Sequence, residues 1–200
     1  MKNNEIKEPV QKRSIEKKAR IIDAGLKLML ENGYHQTNTD EIAKAAGVST
    51  GILYRYFTDK KAILLAGLPI YFDKMEKEQF WGWSDLEIGD TKTFFETLLE
   101  KFLAIHRDFH AVHEELETMR HSDPDVAHLY QQFETSLTQK LCSLLIQKNV
   151  ITNHPKENVC IIWELMEGFC HLATRDEPQN LDYEYMKLKV INTIVCILEQ

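Results

Sequence analysis

A chain of 200 residues with 44% apolar side chains has the make-up of an ordinary folded protein and is long enough to bury a real core. Its longest apolar run, AILLAGLPIYF at 62–72, is too short for a bilayer span and contains a proline, and the mixed-charge first twenty residues lack the apolar stretch of a secretory signal. No transmembrane helix and a cytoplasmic location are therefore expected. The net charge of −7 argues against nucleic acid, but residues 1–66 carry 12 Lys and Arg against 8 Asp and Glu and the remainder 12 against 23, as expected of a nucleic-acid-facing module joined to an acidic body.

Eight glycines, five prolines and the absence of sustained period-two alternation predict an all-α chain. After a polar tail, Ile15, Ala19, Ile22, Leu26 and Met29 mark one face of a first helix that stops at Gly33. A second begins near Thr39, whose hydroxyl can cap it, and ends at Gly47. After a short third helix, Asp59 or Thr58 can cap a fourth, with Pro69 bending or interrupting it. A loop near WGWSDLEIGD precedes helices expected at about 91–109, 112–121, 124–148, 155–174 and 181–199.

The stretch AAGVSTGILYRYF at 45–57 carries the layout of a helix-turn-helix. Gly47 can adopt the left-handed conformation past a helix end, Val48 can fill the angle between the helices, and Ser49 can cap the second. On a helical wheel Leu53, Tyr56 and Phe57 face inward, while Gly51 and Arg55 point away. A glycine in so short a helix costs about 1 kcal/mol against alanine, and close approach of backbone to a DNA groove supplies a compensating reason. The forked guanidinium of Arg55 suits guanine or phosphate, Thr50 and Tyr54 add hydroxyls, and Lys60 and Lys61 can meet phosphates. The alternative is packing tyrosines beside a solvated basic face.

The run from Ile21 to Leu68, with ENGY, IAKAAGVS, LYRYF and DKKAIL in order, resembles the N-terminal DNA-binding region of the tetracycline-repressor (TetR) family of bacterial regulators. The resemblance covers a quarter of the chain. It implies a three-helix DNA-binding domain at 1–66 and a helical ligand-binding and dimerisation domain at 67–200. It also implies a phosphate contact from Thr39, groove positions for Ser49, Thr50, Gly51 and Arg55, a backbone contact from Tyr54, and a phosphate-binding Lys60. Tyr56 stands where the family often has a histidine that touches phosphate, against its inward place on the wheel. Lys12 and Arg13 are further candidates on the tail.

In this family the C-terminal body holds an inducer pocket and forms the dimer. The last helix is apolar on almost every side, which predicts pairing with a second copy in a four-helix bundle. Phe95, Phe102, Phe109, Phe133 and Trp163, with His106 and His110 as polar groups, are the candidate pocket residues. Phe80, Trp81 and Trp83 either cover its mouth or pin a loop. His106, His110 and His113 would share one face of a continuous helix, so a metal-responsive regulator or metal-handling protein is the alternative function. The four cysteines have no zinc-ligand spacing and read as reduced core thiols. No motif supports catalysis. The expectation is a non-enzymatic, homodimeric repressor that needs no cofactor, binds a near-palindromic DNA operator and is released by a small-molecule inducer.

Overall fold

The computed structural model describes residues 12–80, 90–108, 110–175 and 180–199, and among them every regular element is helical. In chain order these are α1 (Lys12–Asn32), α2 (Thr39–Ala45), α3 (Thr50–Leu53), α4 (Lys60–Phe80), α5 (Thr91–Asp108), α6 (His110–Ser122), α7 (Pro124–Gln147), α8 (Pro155–Ala173) and α9 (Tyr183–Leu198).

The helices form two compact units: Met1–Lys74 with Ala111–Tyr130, and Met75–His110 with Gln131–Gln200. Compactness thus groups 67–74 and 111–130 with the N-terminal helices, although both segments lie beyond residue 66.

In the first unit, α1 includes Lys12 and Arg13, which are helical and not in a tail. Its buried side is set by Ile21, Gly25, Met29 and Leu30, whereas Ile15 is 53% exposed and Ala19 is exposed. The expected stripe therefore holds only in the second half of the helix, where α2 and α4 cover it. Gly25 and Gly67 make the approach of α1 and α4 possible. A Cβ on Gly25 would sit 2.6 Å from Ile63 Cγ2, and one on Gly67 3.2 Å from Ile22 Cγ2. Gly33 ends α1 at φ +92°, a conformation open to glycine at little cost.

Pro69 does not interrupt α4, which runs on to Phe80. The proline is on an exposed side, where solvent can take the carbonyl left without its helical N–H partner. Lys61 forms ion pairs with Asp123 at 2.7 Å and Asp125 at 2.8 Å. Hydrogen bonding to these carboxylates raises the lysine pKa, and the same bond lowers that of Asp123. Asp123 also caps α7, accepting from the N–H groups of Asp125 and Val126.

The second unit is built on Phe94, Phe95, Leu98 and Leu99 of α5 against Leu141 and Leu145 of α7, Ile162 and Met166 of α8, and Ile191 and Ile194 of α9. Cys142 and Cys170 are buried there, and burial raises both thiol pKa values. Cys160 and Cys196 are exposed, contrary to the expectation of four core thiols. Trp81 and Trp83 lie outside the described residues.

Candidate nucleic-acid interface

Local chemistry fixes the 38–57 segment. Asn38, not Thr39, caps α2: its side chain accepts from Glu41 N–H at 3.0 Å, while the Glu41 carboxylate accepts from Asn38 N–H at 3.3 Å. Gly47 follows at φ +65°, and Val48 N–H closes the turn on Ala43 O at 3.0 Å. Ser49 then caps α3 by accepting from Ile52 N–H at 3.3 Å. Leu53 and Phe57 are buried, as are Ile42 and Ala43 of α2, and α2 packs on α3, so the outer side of the segment is presented at a defined angle.

On that side Thr50 donates to Asp40 Oδ1 at 2.8 Å, and the hydroxyls of Thr39 and Tyr54 share a hydrogen bond of 3.0 Å. Ser49, Gly51, Tyr54 and Arg55 are exposed, and a Cβ on Gly51 would meet none of the described residues within 4 Å. Tyr56 is half-buried, and its hydroxyl shares a 2.7 Å hydrogen bond with Ser14 of α1. That placement agrees with the helical wheel.

Lys60 has an unexpected set of partners. Its ammonium donates to Tyr34 O at 2.7 Å, Thr37 O at 2.9 Å and His35 O at 3.4 Å, and stands 4.4 Å from the Tyr34 ring centroid. All three N–H protons are thereby used on the turn that follows α1. A phosphate contact would require one of these bonds to be exchanged. Lys61 is likewise engaged with its two aspartates.

The candidate pocket residues divide. Phe95, Phe102 and Trp163 are buried in the second unit, and Phe133 packs partly buried against the same core. Phe102 and Trp163 meet edge to face at 5.0 Å. The Trp163 indole N–H is buried with no hydrogen-bond partner among the described residues. Phe109 lies outside the described residues. His106 is on α5 and His110 and His113 are on α6, with residue 109 between the two helices outside the described residues. His113 is half-buried on the α6 segment of the first unit.

His106 meets Glu167 of α8, 3.0 Å away, and Glu167 also lies 3.7 Å from His171. These two residues were not among the sequence candidates. Their signal is the spacing in EGFCH, where a carboxylate and an imidazole one turn apart share a helix face.

The sequence model of "Bacterial regulatory proteins, tetR family" matches residues 21–66. The chain is 46% identical over 62 residues to a fatty acid metabolism regulator protein of Bacillus subtilis, covering 29% of this chain and 32% of that protein. It is 44% identical over 63 residues to the HTH-type transcriptional regulator HbdR of Aromatoleum sp., covering 32% and 28%. The chain thus spans about a third or less of the length of these relatives.

The whole fold resembles that of a structure described as a TetR-family transcriptional regulator from Mesorhizobium loti, with a TM-score of 0.72 at 16% identity over 94% of this chain and 98% of that one. For the fatty acid degradation regulator FadR of Bacillus halodurans the TM-score is 0.63 at 21% identity, covering 90% and 94%. With the left-handed turn at Gly47 and the capped helices either side of it, residues 21–66 match the DNA-binding module of the TetR family of bacterial regulators, and the rest of the chain shares the helical fold of the solved TetR-family structures.

Proposed function

We propose that the protein is a homodimeric repressor that binds a near-palindromic operator and leaves it when a small molecule occupies the C-terminal unit. The observation that carries the DNA reading is the outer side of α3 and the residues flanking it, where Gly51 and Arg55 are exposed beside the hydroxyls of Ser49, Thr50 and Tyr54. A helix-turn-helix lays this side in the major groove, with Arg55 reading a base edge or a phosphate. Thr39 and Tyr54, paired through their hydroxyls, would meet the sugar-phosphate backbone together.

The inducer reading is supported by the aromatic core of the second unit and by the Trp163 N–H, which has no partner among the described residues and would donate to an acceptor on a bound molecule. Two of the proteins this chain resembles are named for fatty acid metabolism or degradation, so acyl compounds are the first inducers to screen. An inducer acts by preferring a dimer in which the two recognition helices no longer match successive major grooves.

Gel-shift titration of the DNA flanking the protein's own gene, against a scrambled fragment at two salt concentrations, tests the reading. The expected result is a discrete shift of the native fragment that survives competitor and is reversed by an acyl compound. Equal weak binding of both fragments, governed by salt alone, would reject sequence-specific recognition of that site.

A further inference from the structure

Glu167 and His171 stand one turn apart on α8, and α5 packs His106 against them. Glu167 Oε2 is 3.0 Å from His106 Nε2 and 3.7 Å from His171 Nε2, and the donor atoms of the three residues all lie within 4.8 Å of one another. Ligand atoms on a tetrahedral zinc ion with bonds of ~2.0–2.1 Å stand roughly 3.3 Å apart, between the two separations found here.

The other side of His106 fixes its chemistry. Its Nδ1 is 2.9 Å from the carbonyl oxygen of Phe102, one turn back on α5. A carbonyl only accepts, so Nδ1 carries the proton, and in the neutral ring the Nε2 lone pair is aimed at the Glu167 carboxylate. Two electron-rich atoms at 3.0 Å require either a metal cation or a proton between them. An imidazole whose far N–H is held by a main-chain carbonyl, and whose near nitrogen faces a carboxylate and another imidazole, has the outer partner that orients metal-bound histidines. His106 is only 5% exposed, so its ring is held in this pose by the core.

We propose that His106, Glu167 and His171 bind a divalent transition-metal ion of the zinc class, joining α5 to α8 within the C-terminal unit. Two nitrogens and one carboxylate oxygen suit zinc and its first-row neighbours, whereas calcium and magnesium take all-oxygen sets. The remaining coordination positions are open to water or to another donor. The site stands independently of the DNA-binding reading.

The test uses full-length, tag-free protein, stripped with chelator, desalted and titrated with Co²⁺, whose ligand-field absorption reports coordination. Zn²⁺ is then added as competitor and the melting temperature recorded with and without it. Expected are one Co²⁺ per chain, its displacement by Zn²⁺, a metal-dependent rise in melting temperature, and at least a tenfold loss of affinity in Glu167→Gln and in His171→Gln. Both substitutions are at half-buried positions and leave the buried His106 in place. His154→Gln, at the exposed residue just before α8, leaves binding unchanged. If the folded wild-type chain takes up no stoichiometric ion, or if both variants bind as tightly as wild type, the cluster is an imidazolium–carboxylate pair and the metal site is overturned.

Discussion

A Cβ at Gly51 would meet none of the described residues within 4 Å, and alanine would favour the helix there by up to about 1 kcal/mol, so nothing among the described residues calls for the glycine. Gly51→Ala is therefore expected to raise the melting temperature slightly while weakening operator binding several-fold, because the added methyl stands between backbone and groove. A variant that is more stable and binds as well as wild type would show that α3 does not approach DNA at this point. Arg55→Ala is expected to cost about 1–3 kcal/mol of operator affinity and to relax the preference for one base pair, read by titrating single-base operator variants. Unchanged affinity and preference would remove Arg55 from the recognition set. At this scale, residues whose role is set by neighbours one turn away were legible: Gly47, Ser49, Leu53 and Phe57 have the conformations and burial their types imply. Lys60 was not, because its partners are carbonyls of residues 34, 35 and 37, and main-chain oxygens leave no mark in a side-chain pattern. Asn38 displaced Thr39 as the cap because both types serve there and only the backbone decides which residue is outside the helix.

Helices were more legible than the faces they bury. Polar caps, Gly33, Gly47, Pro124 and Pro155 mark termini through local hydrogen bonding and backbone freedom, and the long helices fall within a few residues of the positions those signals give. The buried side of α1 depends instead on what arrives from α2 and α4, which is a tertiary fact: Ile15 fits the apolar period yet has no cover. The glycines state the tertiary fact most directly. Gly25→Ala would place a methyl 2.6 Å from a branched Ile63 methyl and 3.3 Å from Ile42, neither of which can swing aside as a flexible chain end would. Forcing α1 from α4 in this way is expected to destabilise the first unit by about 1–3 kcal/mol, despite the better helix propensity of alanine. Thermal or urea unfolding measures it, and a neutral or stabilising result would mean that the two helices relax apart without loss. The paired outcome at Gly51 and Gly25 separates a glycine kept for an external partner from one kept for internal packing.

For the molecule as a whole, α8 and α9 leave apolar side chains at the surface that a second copy could cover. Ile161 is 50% exposed, Tyr185 56% and Leu188 46%. Along α9 the exposed positions Tyr185, Leu188, Asn192 and Cys196 recur at three- and four-residue spacing and so form one stripe, opposite Ile191 and Ile194 in the core. The sequence announced this helix as apolar on nearly every side, but could not divide those sides between the chain's own core and a second copy. A two-fold pairing of α8 and α9 would cover the stripe and set the distance between two recognition helices, which is what an operator with two half-sites measures. Leu188→Glu places a charge on the stripe without entering the core, so the variant is expected to keep its helical circular dichroism. It should lose the dimer in sedimentation or light scattering, and with it most operator affinity, because each half-site contact then has to form alone. Two outcomes would count against the arrangement. A dimer that survives the charge would place the interface elsewhere, and a monomer that still bound the full operator with wild-type affinity would break the tie between dimer geometry and half-site spacing.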